Sequence, residues 1–169
     1  MKTRIIAASA APYDGYELEV MLESIARVGF KHVEPAFIVG YTEPFDEHSF
    51  NPKHAQEWRT AKANAGLGCV AMSSHIDLSA SDAEVVFRRR MDFASSIGAE
   101  VIISNAGPAG RRNEFFRNME ALLRHAEKVD ISIALEKGMS RTLLKLPRLA
   151  SLVKSYAASA RRSTPGVAV

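Results

Sequence analysis

Four short apolar runs of this sequence end in polar side chains that could do chemistry. The runs are HVEPAF at 32–37, VAMSSHID at 70–77, VIISNAG at 101–107 and ISIALE at 131–136. Their polar ends supply two carboxylates, an imidazole and an amide, on Glu34, Glu136, His75 and Asn105. Carboxylates and histidines transfer protons next to polarised carbonyl groups, and carboxylates also hold hard divalent cations. Side chains of these types therefore predict proton-transfer chemistry, provided that the fold brings them together.

Helical patterns separate these runs. Apolar residues recur at intervals of three and four before glycine stop signals, as expected for amphipathic helices. The predicted helices cover about 16–28, 52–65, 82–97 and 111–128, and the predicted strands cover about 4–9, 31–37, 68–76, 100–104 and 131–135. Alternating strands and helices favour a parallel sheet, in which all carboxyl ends lie on one side. We therefore expect Glu34, His75, Asn105 and Glu136 to face one cleft.

Length and composition favour one domain. At 169 residues, 47% of them hydrophobic, the chain is long enough for one domain with a real core. The single cysteine, Cys69, excludes a disulfide framework and suits a reducing cytoplasm. The apolar stretch after the basic start is broken by Pro12, Tyr13 and Asp14, so it predicts a first strand rather than a signal sequence. We expect a cytoplasmic protein that binds neither membranes nor nucleic acid.

The net charge of +3 conceals two parts of opposite charge. All 19 acidic residues lie at or before Glu136, so residues 1–136 carry a net charge of −4 and residues 137–169 carry +7. We expect 1–136 to form the folded domain and 137–169 to form an atypical basic tail, helical at first and then disordered. Such a tail could bind an anion, but its leucines and Pro147 favour a poorly packed or solvated segment.

The stretch 38–52 is too rich in proline, glycine and acids for a regular element. Its aromatic residues, Tyr41, Phe45 and Phe50, favour a folded lid over the strand ends.

Two other motifs have competing interpretations. Arg88, Arg89 and Arg90 fan over most of a helical turn, which predicts a solvated face rather than a nucleic-acid contact. The run NAGPAG at 105–110 either cradles an anion with backbone N–H groups or forms a plain strand-to-helix turn.

The order and spacing of HVEPAF, MSSHIDL, SIGAEVIISNAG and ISIALE resemble the xylose isomerase-like TIM barrels, the sugar phosphate isomerase/epimerase family. The resemblance covers about residues 4–136. It implies an α/β fold that forms part of a (β/α)8 TIM barrel, with about five βα units and an incomplete carboxyl half. A complete barrel of this kind takes about 250 residues.

The resemblance also implies roles for the polar strand ends. In that family a glutamate at the end of a middle strand holds a divalent metal together with ligands from later strands, and Glu136 matches it as metal ligand and catalytic residue. His75 matches the histidine near the substrate, and Glu34 and Asn105 line the substrate site. The plainer alternatives are that His75 only bonds a neighbouring carbonyl group and that Glu34 is solvated.

The metal implied is Mn, Mg or Co, in a site that this chain would leave incomplete. No Asp, Glu or His follows Glu136, so none of the family's later ligands can be supplied after it. The acid-free ending suggests a shifted reading frame or a truncation, which makes activity of this particular chain doubtful.

Three functional classes stay open. The first is a sugar or sugar-phosphate isomerase or epimerase that moves a proton next to a carbonyl group, with a small sugar or hydroxy acid as substrate. The second is a non-catalytic barrel remnant. The third is a zinc-dependent endonuclease of the same superfamily, which would need a cluster of histidines and carboxylates. An incomplete barrel leaves sheet edges unpaired, so we also expect self-association through these edges.

Overall fold

Parallel strands alternate with helices in the computed structural model, which describes residues 4–42 and 45–136. The strands are β1 (Ala8–Ser9), β2 (Val33–Glu34), β3 (Ala71–Asp77), β4 (Val101–Asn105) and β5 (Ser132–Leu135). The α-helices are α1 (Leu18–Val28), α2 (Pro52–Ala65), α3 (Ala83–Ser96) and α4 (Arg112–Val129). Short 3-10 helices lie at Ala11–Tyr13, Glu47–Ser49 and Ala109–Arg111. The predictions for 137–169 fall outside the described residues.

Every strand pairing is parallel, and the strands follow one another across the sheet in chain order. β1 pairs with β2, and β4 lies between β3 and β5. Two isolated bridges, His32 to Gly68 and Ala36 to Ser73, join the β2 segment to the β3 segment. Within the described residues β1 and β5 each have one unpaired edge, so the sheet does not close. The fold is a partial α/β barrel, as the sequence predicts.

Burial alternates along β4 and distinguishes the two faces of the sheet. Ile102 and Ser104 are fully buried under the helices, whereas Val101, Ile103 and Asn105 are only partly buried. We call the side that carries Val101, Ile103 and Asn105 the open face. In a closed barrel this side lines the interior, so it is the side on which strand-end residues can meet a ligand.

The helices form where the apolar periodicity predicts them. α1 buries Met21, Leu22 and Ile25, and it ends at Gly29, whose φ of 102° places the backbone in the left-handed region that glycine tolerates. α4 buries the longest apolar stripe, which includes Phe115 and Leu122. No helix in the described part of the chain is both long and apolar enough to cross a bilayer.

The start of the chain differs from the prediction. A strand is expected over 4–9, but only Ala8 and Ser9 are paired. Ile5 and Ile6 are 54% and 72% exposed. Among the described residues β1 has β2 as its one neighbour, and β2 is itself two residues long, so only two residues of this apolar run are paired.

The predicted solvated arginine face is wrong for Arg90. Its side chain is completely buried, whereas Arg88 pairs at the surface with Glu84 as an exposed arginine should. Successive helical residues are rotated by about 100°, so one residue of an Arg-Arg-Arg run on a helix that covers a sheet can point inward. The sequence shows the run but not which member of it faces the sheet.

The loop after β2 is anchored by this arginine. Arg90 forms an ion pair with the Glu47 carboxylate, and its guanidinium lies 5.0 Å from the ring centres of both Phe45 and Phe50. Phe50 also packs edge-on against Phe93 of α3, at 5.3 Å between ring centres. The described part of the loop is folded, as expected, but its phenylalanines pack towards α3, and Tyr41 is 65% exposed.

Candidate functional site

The register of the parallel strands places the predicted site residues along one rim. Glu34 ends β2, and Asn105 ends β4 as the register partner of Asp77. Glu136 follows β5, and its backbone N–H donates to the carbonyl oxygen of Ser104 at 3.0 Å. Glu136 therefore lies beside Asn105. The carboxyl ends of successive strands bring these side chains to the same edge, as the pattern of polar strand ends predicts.

His75 and Glu136 come closest to each other. His75 Nε2 lies 3.8 Å from Glu136 Oε2, and the side chains are 12% and 53% exposed. The distance is too long for a hydrogen bond. His75 Nε2 is buried and has no hydrogen-bond partner. Buried polar atoms in folded proteins are nearly always bonded, so this nitrogen calls for a partner such as a substrate oxygen or a water molecule.

Glu34 lies on β2, one strand away from His75 on β3. The Ser73 hydroxyl donates a 2.7 Å hydrogen bond to Glu34 Oε1. Ser73 precedes His75 by two positions on β3, and Glu34 is only partly buried. Because Glu34 is tied to the strand that carries the histidine, it lies within the same rim rather than free in solvent. Its predicted role in substrate binding stays a prediction.

An irregularity in β3 shapes the position of His75. The register between β3 and β4 shifts between Ser73 and Asp77, because four steps on β3 match two steps on β4. His75 lies within this bulge, and the Ile76 N–H donates to the Ser104 hydroxyl at 3.2 Å. Bulges of this kind redirect side chains beside active sites. No feature of the sequence predicts the bulge.

Asp77 and Arg111 join the rim without having been predicted as site residues. Asp77 Oδ1 accepts hydrogen bonds from the Ser79 N–H at 2.9 Å and the Ser79 hydroxyl at 2.5 Å. Asp77 Oδ2 accepts one from Arg111 Nη1 at 3.2 Å. The spacing Asp-x-Ser is a local turn signal that the sequence contains. The contact with Arg111 joins residues 34 positions apart and has no local signal.

The described residues do not form a complete metal centre. His75 Nε2 and Glu136 Oε2 face each other and could both bind a metal ion. Residues 4–42 and 45–136, however, contain no group of three or more His, Cys, Asp or Glu side chains that could hold one. A hard cation such as Mg²⁺ takes about six oxygen ligands. The cluster needed by a zinc-dependent endonuclease is likewise not found among these residues.

Two pKa shifts arise at the opposite end of the sheet. Burial lowers the pKa of Lys62, whose Nζ donates to the Ile97 carbonyl oxygen at 2.8 Å. Burial also raises the pKa of the Cys69 thiol to about 11. Cys69 precedes β3, whereas the candidate site follows the strands. These two groups therefore belong to the base of the sheet and not to the rim.

Comparison with known proteins bears on the fold. Neither a protein-family model nor a curated protein matches the sequence. A xylose isomerase-like TIM barrel protein from Mycobacterium smegmatis, solved in complex with magnesium, superposes with a TM-score of 0.65 and 18% identity over 92% of this chain and 62% of that chain. For a xylose isomerase domain protein from Planctomyces limnophilus the TM-score is 0.60, with 17% identity over 97% of this chain and 59% of that chain.

A D-allulose 3-epimerase from Methylomonas sp. is also similar, with a TM-score of 0.56 and 15% identity over 80% of this chain and 52% of that chain. The chain thus spans between half and two thirds of the length of these three proteins. At such low identity the likeness shows the fold alone. Together with the parallel strand order and the open sheet, it shows that this chain has a partial TIM-barrel fold similar to the fold of the xylose isomerase-like proteins.

Proposed function

We propose that this chain serves a sugar or sugar-phosphate isomerase or epimerase reaction, in which a proton is moved at a carbon next to a carbonyl group. The observation that carries the proposal is the unpartnered, buried Nε2 of His75, which faces the accessible carboxylate of Glu136 at the strand ends. The similar solved structures include a sugar epimerase, which supports the same reaction class.

The two side chains have complementary chemistry. The Glu136 carboxylate is half exposed, so it can reach the carbon-bound hydrogen of a sugar and accept it as a proton. The electron pair of the broken C–H bond moves towards the carbonyl group. His75 Nε2, when protonated, donates its proton to the carbonyl oxygen, which gives an enediol. Both proton transfers are the ordinary work of a carboxylate and an imidazole.

The enediol then collapses to product. For an isomerisation, Glu136 returns the proton to the former carbonyl carbon. The hydroxyl on the carbon that lost its hydrogen gives its proton to His75, so that this carbon becomes the new carbonyl carbon. For an epimerisation, a group other than Glu136 protonates the opposite face of the same carbon, while the oxygen that His75 protonated returns its proton to His75 and the carbonyl group re-forms. Glu34 and Asn105 are proposed to bind substrate hydroxyl groups, because an amide and a carboxylate at the rim can each accept a hydrogen bond from a hydroxyl.

A divalent cation is a further part of the proposal. Glu136 would be one ligand of Mn²⁺, Mg²⁺ or Co²⁺, and the remaining ligands would have to come from outside the described residues or from solvent and substrate. Such an ion polarises a carbonyl oxygen when it is bound.

The experiment is deuterium exchange into a sugar, followed by proton NMR. The purified chain is incubated in D₂O with D-fructose or D-fructose 6-phosphate, with and without added Mn²⁺. Loss of the signal of the hydrogen next to the carbonyl group reports proton abstraction even if no product accumulates. Glu136→Gln and His75→Gln should each slow exchange about 100-fold, which is the lower end of what general acid-base groups contribute.

Matched controls carry the same substitutions on the surface. Glu120→Gln changes an exposed side chain on α4, and His48→Gln changes an exposed one in the 3-10 helix Glu47–Ser49; both variants should exchange at the wild-type rate. Exchange that persists unchanged in Glu136→Gln would contradict the assignment of this carboxylate as the base. Equal losses in the rim variants and the surface variants would show a general effect of the substitutions rather than chemistry at the rim.

A non-catalytic role is the second candidate. It is favoured by the lack of a complete ligand cluster among the described residues. Under this alternative the chain keeps the fold, but the wild-type protein exchanges no sugar hydrogen either with or without added Mn²⁺. The same NMR measurement therefore separates the two candidates.

A further inference from the structure

We propose that Asp77 and Arg111 form a subsite for neighbouring hydroxyl groups and that the rim selects a neutral polyhydroxy substrate over a phosphorylated one. This inference rests on the proposed function, because it names the substrate class for the same site.

The carboxylate of Asp77 is held rigidly while remaining accessible. One of its oxygens accepts two hydrogen bonds from Ser79, and the other accepts one from Arg111. The Asp77 side chain is 33% exposed. A carboxylate oxygen can accept more than one hydrogen bond, so Asp77 Oδ2 keeps capacity for a ligand hydroxyl.

A close backbone approach locks this carboxylate further. Gly107 has a φ of 97°, and a Cβ atom built on it would lie 2.2 Å from Asp77 Oδ1 and 2.8 Å from the Ser79 hydroxyl. Only glycine fits there. The loop after β4 is thereby drawn tightly against Asp77, which places Arg111, four residues later, beside the same carboxylate.

Arg111 has N–H donors that its contact with Asp77 does not use. A guanidinium carries five N–H donors, and Arg111 gives one of them to Asp77 while its side chain is 56% exposed. An exposed ion pair adds little to stability, so fold maintenance alone is a weak reason for this pair. A donor beside an acceptor at a fixed spacing is suited to two adjacent hydroxyl groups, one of which donates and one of which accepts.

The pair lies at a distance that suits one substrate molecule. Asp77 is the register partner of Asn105, and Glu136 lies beside Asn105 on the next strand. Two strand spacings of about 4.8 Å therefore separate the backbones of Asp77 and Glu136, about 10 Å in all. A sugar whose carbonyl end meets His75 and Glu136 can extend its remaining hydroxyl groups along the rim to Asp77 and Arg111.

The charge of the rim argues against a phosphate group. Among the described residues the rim carries three carboxylates, on Glu34, Asp77 and Glu136, and one guanidinium, on Arg111. A phosphate dianion placed at Arg111 would also lie beside Asp77, where like charges repel. A neutral sugar meets no such repulsion.

The experiment measures equilibrium binding of two probes, D-fructose and D-fructose 6-phosphate, to the full chain by titration calorimetry. We expect the wild-type chain to bind D-fructose about tenfold more tightly than its phosphate, a difference of about 1.4 kcal/mol. Arg111→Met should weaken D-fructose binding about fivefold through loss of the donor. Arg112→Met is the matched control, since Arg112 stacks over Phe116 at 5.6 Å, and it should leave affinity unchanged.

Tighter binding of the phosphate, equal losses in the two arginine variants, or no saturable binding of either probe would each overturn the subsite. Circular dichroism of Arg111→Met checks that the fold persists, and Arg111→Lys, which retains a donor, should recover part of the affinity. The proposed function fails separately. If D-fructose binds in an Arg111-dependent way but no hydrogen exchange occurs, the subsite stands and the isomerase proposal does not.

Discussion

Removing the charge partner of a buried arginine should weaken this fold more than removing the partner of an exposed one. The Arg90 side chain has no exposed surface, and its guanidinium bonds to the carboxylate of Glu47. Among the described residues it also donates to the Phe37 carbonyl oxygen and the Ser74 hydroxyl, and it lies over two phenyl rings. The change to test is Glu47→Gln, which keeps the shape of the side chain but leaves the buried cation without a counter-charge.

The expected cost follows from burial. Breaking a fully buried ion pair by removing one partner typically costs about 3–5 kcal/mol. The Glu47 side chain is about one third exposed, so water can partly replace its carboxylate. We therefore expect the free energy of unfolding to fall by about 2–3 kcal/mol, below the fully buried range.

The assay is urea unfolding followed by the fluorescence of Trp58, which is buried at 6% exposure. Glu84→Gln is the control, because it breaks the surface pair with Arg88, and we expect a loss of about 0.3–0.5 kcal/mol there. Arg90→Met combined with Glu47→Gln should cost less than the sum of the two single changes. If Glu47→Gln costs no more than Glu84→Gln, the reasoning about the buried guanidinium is wrong.

Three further predictions concern the backbone, the buried thiol and the sheet edge. Gly107→Ala should lower stability by about 1–3 kcal/mol in urea unfolding, because the new Cβ meets Asp77 in a strained backbone, whereas Gly110→Ala, with open space around it, should change stability much less. Burial raises the pKa of Cys69 from 9.0 to about 11, so the stability that this thiol contributes should be present below pH 9 and lost as the pH rises to 11. Unfolding curves of wild type and Cys69→Ala, collected across that pH range, should show this trend in the difference between their free energies of unfolding. The unpaired β1 edge should promote self-association that Ile6→Lys reduces, as measured by light scattering after size-exclusion chromatography; a monomeric wild-type chain at all concentrations would rule this out.

Helix positions were the most predictable part of the fold. α2 covers Pro52–Ala65, as predicted, and the predicted bounds of α1 and α4 differ by one or two residues from the observed ones. Helices are coded locally by apolar periodicity, caps and glycine stops. The observed α3, Ala83–Ser96, is one residue shorter at each end than the predicted helix.

The candidate site was predictable only in part. A polar residue at the end of each predicted strand was enough to place Glu34, Asn105 and Glu136 on one rim, because parallel strands share a direction. His75 approaches Glu136 from within a bulge in β3, and no sequence pattern predicts this bulge. The functional roles of these side chains stay predictions.

The sequence by itself determined which segments become strands and helices and that chemistry-capable side chains end the strands, because these properties depend on neighbours a few positions away. Only the tertiary structure decided which arginine is buried and which distant residues pair. Arg90 meets Glu47 across 43 positions, and Asp77 meets Arg111 across 34. Such contacts are set by strand register and by the packing of helices on the sheet, and both arise only when the whole chain is assembled.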